Sequence, residues 1–301
     1  VEVLERANTR VVGRVLIEHG ITLVVPENRR INQDILVAPG GGGTAISGQV
    51  VTVEIIEQPD RHSKPIGRIV EVLGNYADPG MEIEIALRKH DLPFEFSTRT
   101  LAEADALPET LVASDWEGRT DLRALPLVTI DGETAKDFDD AVFAEKNGRG
   151  WRLLVAIADV SHYVQPGTAL DRDAGERGNS VYFPRRVIPM LPEKLSNGLC
   201  SLNPDVDRLA MVCDMAIDHT GEITDYRFYP AVFRSHARLT YDQVWNWLDG
   251  MTKPESDVHR LLQPHLQALY ALFQVLGEAR GKRGAIDFET IETMMLFNAQ
   301  G

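Results

Sequence analysis

The feature that most limits how this chain can fold is a series of short β-branched runs, each cut off from the next by turn-forming residues. Within residues 10–90, RVVGRVL, ITLVVP, DILVAP, GQVVTVEII and IGRIVEVLG are separated by stretches such as PENRRINQ and GGGGTAISG. Five such strands predict a small OB-type barrel. The glycine run at 40–43 lacks the Gly-Lys-Ser/Thr ending of a phosphate-binding loop and reads as a flexible turn.

The remaining sequence changes character. Residues 96–124 are polar and acidic with helical patches and read as a linker, so the expected organisation is residues 1–95, a linker over 96–124, and a second domain over 125–301. A chain of 301 residues with 44% hydrophobic residues can bury a core in each part. WRLLVAIADV predicts a buried strand, and MVCDMAIDHTGEITDYRFYPAVF predicts two strands around His219-Thr220-Gly221. Helix signals alternate with them. Thr168 caps ALDRDAGERG, and Thr240 with Gln243 forms a capping box ahead of VWNWLDG. A longer helix places Val258, Leu262, Leu266, Leu269, Phe273 and Leu276 on one core-facing stripe, with Pro264 starting or kinking its second part. The fold class is α+β: a barrel followed by a mixed α/β domain.

Composition excludes several functions. The net charge of −14 argues against coating nucleic acid by bulk attraction, though not against local basic channels. No apolar run approaches the ~18 residues of a membrane span. The start resembles neither a signal nor a transit peptide, which makes the cytoplasm the default location. Cys200 and Cys213 fit a reducing compartment, match no zinc spacing, and are expected in the core.

Residues 129–142, TIDGETAKDFDDAV, carry the chemistry. Asp137, Asp139 and Asp140 fall within four positions, and Asp131 lies six before the first. If they converge, like charges raise one another's pKa and call for a positive partner. In an extended segment Asp137 and Asp139 share one face and Asp140 the other, so convergence needs a loop or bulge after the strand LVTI. An exposed acidic turn is the plainer alternative. Against it stand Phe138, an apolar anchor between two acids, and AVF, which resumes a strand at once. An EF-hand loop fails because the fifth position from Asp131 is Ala135, and an Asp-nucleophile phosphatase fails because GETAK interrupts the strand. Oxygen ligands without Cys or His point to magnesium or manganese; two such ions about 4 Å apart can activate water and stabilise a leaving oxygen in phosphodiester cleavage.

Two resemblances follow. GRVLIEHGITLVVPENRRINQDILV resembles a cold-shock domain, with Ile21, Leu23 and Leu36 replacing the aromatics on which such domains stack bases. Arg29, Arg30, Arg61 and Lys64 are open both to phosphate contacts and to a solvated loop face. TIDGETAKDFDDAV, WRLLVAIADVSHYV, DRDAGERGNSVYFPRRVIPMLPEKLSNGLCSLNPDVDRLAMVCDM and RGAIDFE resemble the catalytic domain of the ribonuclease II family across roughly residues 120–290. That resemblance implies a magnesium-dependent hydrolytic exoribonuclease. It would degrade single-stranded RNA processively from the 3′ end to nucleoside 5′-monophosphates.

The resemblance also implies residue roles. Asp131 and Asp140 would hold one Mg²⁺, with Mn²⁺ an acceptable substitute. Asp137 and Asp139 would complete a second site, Asp139 nearest the attacking water. Tyr182 would stack on the 3′-terminal base with Phe288 across from it; a place in the core is the alternative for each, and it competes more strongly at Phe288 than at Tyr182. Arg185 and Arg186 would guide the RNA backbone, and Arg234, His236 and Arg238 are weaker candidates. The implied partners are single-stranded RNA and RNA-decay machinery, with no membrane and a monomeric state. The family's later arginine-rich motif, its S1 domain and a first cold-shock domain are not in the sequence, so a piece of a longer enzyme is expected. The alternative is a noncatalytic RNA-binding or scaffold fragment.

Overall fold

The computed structural model describes residues 9–60, 62–253 and 256–286. Among the described residues, the first of its two units comprises residues 9–95 and the hairpin tip Tyr182–Arg186; the second comprises Phe96–Val181 and residues 187–286.

In the first unit, β1 (Arg10–Glu18), β2 (Ile21–Pro26), β3 (Ile35–Val37), β4 (Gln49–Glu57) and β5 (Ile66–Asn75) form a closed barrel in the order β1-β2-β3-β5-β4. Each predicted run supplies one strand. The alternation of β1 sends Val11 and Val15 inward, where they pack with Val24, Ile35, Val37, Val51 and Val53. Closure brings backbones so close that a Cβ on Gly13 would lie 2.5 Å from the Val25 carbonyl oxygen, and one on Gly67 2.8 Å from the Glu54 carbonyl oxygen. On the outer surface Leu16 pairs with Leu23 and Leu23 with Leu36, so an aliphatic row runs across three strands. Helix α1 (Met81–Lys89) buries Met81 against Val12 and Val50. Its Arg88 grips Glu71 through Nε at 3.0 Å and Nη2 at 2.6 Å, and also pairs with Glu84.

The second unit is built on a five-stranded sheet ordered β6-β13-β12-β9-β8. Its strands are β6 (Thr120–Asp121), β8 (Asp140–Asn147), β9 (Gly150–Ala158), β12 (Asp207–Ile217) and β13 (Ile223–Arg234). As expected, WRLLVAIADV lies inside the sheet, and β12 and β13 join at a turn where Asp218 Oδ1 accepts from the amides of Thr220 and Glu222. Between these strands come β7 (Thr129–Asp131), helix α3 (Val160–Tyr163), α4 (Ala169–Arg177) and the hairpin strands β10 (Val181–Phe183) and β11 (Arg186–Ile188). A π-helical turn (Lys194–Leu199) precedes β12. Strand β14 (Arg238–Thr240) pairs in parallel with β7 and leads into α5 (Tyr241–Leu248), where the Thr240–Gln243 capping box forms.

Several expectations are corrected. The stretch 96–124 is packed rather than strung out: α2 (Thr98–Ala106) buries Ala104 in the main core, which also takes Leu122. Glu103 of α2 accepts from the amides of Ala169 and Leu170, satisfying donors that open α4. The last described helix, α6 (Asp257–Lys282), runs through Pro264 without a break, with Leu262 and Leu266 buried on either side of it. Its burying face carries Leu262, Leu266, Ala268 and Leu272, which turns Val258 and Phe273 outward, 44% and 67% exposed. Cys200 is buried as expected, its thiol pushed up to about 12 chiefly by desolvation, whereas Cys213 is half-buried.

Candidate active site

Strand β7 ends at Asp131 and β8 begins at Asp140, so the eight residues between them form the loop that carries the other acids. The mouth of the loop is closed by the bridge Val128↔Val142. Strand β7 also lies beside β14, with Asp131 opposite Thr240. On the other flank the Ala158 amide donates to the Asp139 carbonyl at 2.9 Å.

Phe138 anchors the loop. Its side chain is 2% exposed in the main core, between two acids that stay near the surface. Its backbone is held from a distant segment: Ser201 Oγ accepts from the Phe138 amide and donates to the Lys136 carbonyl, both at 3.1 Å, and the Leu202 amide donates to the Phe138 carbonyl at 2.8 Å. Ser201 is in turn fixed by Arg208, whose Nε donates to its carbonyl at 2.8 Å while Nη2 donates to the Gly198 carbonyl.

Electrostatics join the four acids into one group. Desolvation is the first cause raising the Asp131 carboxyl from its ordinary value, followed by the charges of Asp140 and Asp137. Asp139 is likewise raised, by desolvation and then by Asp137, Asp140 and Asp131. Asp139 keeps solvent-exposed surface, so the protein crowding it desolvates without sealing it off. The opposing charge that such a cluster calls for is Arg238, whose guanidinium offsets a small part of the rise at Asp131. Its Nη2 donates to the carbonyls of Glu133 at 2.9 Å and Ala135 at 3.1 Å, and its guanidinium lies 4.7 Å from the Phe138 ring centroid.

The donor set is hard oxygen throughout and fits a divalent cation such as Mg²⁺ or Mn²⁺ in kind. Among the described residues, no three His, Cys, Asp or Glu side chains are already gathered closely enough to enclose an ion. The four carboxylates thus share a neighbourhood without forming a finished cage.

The other sequence candidates lie on other elements. Tyr182 is 64% exposed on β10, which removes the reading of it as core. Arg185 and Arg186 line a cavity of about 1080 Å³ with Tyr76, Met81 and Glu82, and Arg186 pairs with Glu84 at 2.5 Å. Arg234 is held by Asp207 at 2.8 Å. His236 Nδ1 lies 3.1 Å from the Arg234 carbonyl oxygen. Phe288 and Arg61 lie outside the described residues. The residues that sequence reasoning missed are Ser201, Leu202 and Arg208, whose only local signal is their place in the motif running from LCSLNP to DRLAM.

The RNB domain model matches residues 119–301, and a cold-shock domain model matches residues 23–97. The chain belongs to the RNB family. Ribonuclease R of Vibrio cholerae is 52% identical over 301 residues, covering 100% of this chain and 36% of the relative. Ribonuclease R of Escherichia coli K12 is 51% identical over 304 residues, covering 100% of this chain and 37% of the relative. Among solved structures, Mycoplasma genitalium RNase R in complex with ribose-methylated single-stranded RNA superposes with a TM-score of 0.92 at 31% identity. That match covers 99% of this chain and 47% of the other. The chain therefore spans little more than a third of the length of these curated RNB relatives. The aspartate loop falls inside the RNB match, and β3 to β5 of the barrel, with most of β2, fall inside the cold-shock match.

Proposed function

We propose that this chain carries the hydrolytic centre of a metal-dependent 3′-to-5′ exoribonuclease that degrades single-stranded RNA processively to nucleoside 5′-monophosphates. The observation that carries the reading is the shared electrostatic neighbourhood of Asp131, Asp137, Asp139 and Asp140 on one pinned loop. Carboxylates held together against their mutual repulsion suit a cation-binding task, whereas a noncatalytic scaffold piece gains nothing from them. Membership of the RNB family and the RNA-bound Mycoplasma relative support RNA as the substrate.

In this reading Asp131 and Asp140 would hold one divalent ion and Asp137 and Asp139 a second. When bound, the ions supply Lewis-acid stabilisation of the phosphate and lower the pKa of water, so no protein base is required. Asp139 orients the attacking water by accepting its hydrogen bond. Tyr182, exposed on its hairpin, stacks on the 3′-terminal base and sets the register of cutting. Arg185 and Arg186 steer the phosphodiester backbone toward that hairpin.

The test is incubation of the chain with 3′-labelled and 5′-labelled single-stranded RNA, in Mg²⁺ and in EDTA. Stepwise shortening from the 3′ end with 5′-monophosphate release, abolished by EDTA, is the expected result. Binding without cleavage would favour the noncatalytic alternative for this chain.

A further inference from the structure

We propose that Arg238 is a positioning residue for the four-aspartate loop, fastening the loop's backbone so that its carboxylates are presented to cations, and is not an RNA contact. The inference rests on the reading of that loop as a cation site. One guanidinium reaches three points of the loop: it bonds the carbonyls of Glu133 and Ala135 and covers the ring of Phe138, the anchor between Asp137 and Asp139. Its own backbone lies on β14, in register with the strand that ends in Asp131. Ser201 and Leu202 hold the loop from a different segment, so Phe138 is gripped through its backbone by one and over its ring by the other.

The positive charge of Arg238 works in two opposite senses. It relieves repulsion among the carboxylates, yet it also repels an arriving cation. Arg238 is exposed, so that repulsion is screened by water and salt, while its charge-assisted bonds to two carbonyls retain their geometric effect. Loss of the side chain therefore weakens cation binding through loss of loop order. A lysine keeps the charge, and its ammonium has donors for the two carbonyls that Nη2 serves, but without the planar guanidinium it cannot donate there and cover the Phe138 ring at the same time.

The experiment titrates Mn²⁺ calorimetrically into the parent chain, Arg238→Lys, Arg238→Met and Asp139→Asn, with amide hydrogen exchange of residues 132–139 and thermal unfolding followed in parallel. Arg238→Met is expected to weaken Mn²⁺ binding by about tenfold and to speed exchange in the loop, with the global transition nearly unmoved. Arg238→Lys is expected to fall closer to Arg238→Met than to the parent. Mn²⁺ affinity and loop exchange unchanged in Arg238→Met would overturn the proposal, as would full retention of both by Arg238→Lys. If Arg238→Met fails to fold, Arg238→Lys decides alone. Asp139→Asn separates the two readings: if it leaves Mn²⁺ binding untouched, the cation site is misassigned, and loop exchange alone then judges Arg238.

Discussion

The hydroxyl of Ser201 lies between the Phe138 amide and the Lys136 carbonyl, accepting from one and donating to the other at 3.1 Å. Sixty-three residues separate Ser201 from Phe138 in sequence, yet this contact fixes the segment that carries three of the four aspartates.

Replacing Ser201 with alanine leaves the Phe138 amide without its acceptor in a buried setting. The expected cost is roughly 1–3 kcal/mol of stability. Urea unfolding gives the loss, and cation titration shows whether the loop still gathers its carboxylates. A midpoint equal to the parent's would show that the hydroxyl is dispensable.

Asp139→Asn acts in the opposite direction on stability. The carboxyl is raised in the folded state, so its charged form is disfavoured there. The penalty is present at neutral pH and is relieved as pH falls through the raised pKa. Without divalent ions, Asp139→Asn is therefore expected to melt at a higher temperature than the parent at pH 7, and the difference should vanish on acidification. Added Mg²⁺ should raise the melting temperature of the parent much more than that of the variant, and Mg²⁺-dependent RNA degradation should be lost.

Asp214 titrates the other way. Arg152 binds both its oxygens at 3.0 and 2.8 Å, with Arg227 at 3.0 Å and the Tyr229 hydroxyl at 3.1 Å, and its carboxyl is lowered to about 2. This stability is present above the ordinary aspartate range and is lost as pH falls from about 4 toward about 2. Its size is about 2 kcal/mol at most, lessened by solvent at the exposed Arg227. Urea midpoints of the parent and Asp214→Asn, compared from pH 7 downward, should converge in that window; a constant gap would contradict the assignment.

Gly13→Ala tests closure of the barrel. The added methyl meets the Val25 carbonyl oxygen at 2.5 Å and Val24 Cγ1 at 2.6 Å, a collision between paired strands. A loss of about 1–3 kcal/mol is expected. Thermal unfolding followed by circular dichroism measures it.

Tyr182→Ala removes an exposed ring and leaves the core intact. The overall melting temperature should stay put while the length of the shortest RNA product changes. End-product sizing on a denaturing gel checks this.

The barrel was legible because each strand carries its own apolar alternation and its own turn residues. The aspartate loop was legible because acids crowded around one phenylalanine are an unusual local pattern. What holds that loop was not legible, since Ser201 and Arg238 reach it across long sequence separations, with nothing in their own neighbourhoods to mark the contact. Arg238 in isolation read as a basic residue for RNA, although its donors go to protein carbonyls. Phe273 read as core because helical spacing alone cannot say where the covered face of α6 ends.

The loop's dependence on late segments has a consequence during synthesis. Arg238 contacts Glu133 from 105 residues further along the chain. At translation rates of roughly 5–20 residues per second, several seconds pass between emergence of the aspartates and arrival of their fastener. In that interval β14 is absent and β7 has no parallel neighbour, so the carboxylates belong to an unfastened segment. A nascent chain thus acquires an ordered acidic centre only after β12 to β14 have been made, well after its barrel has the means to close.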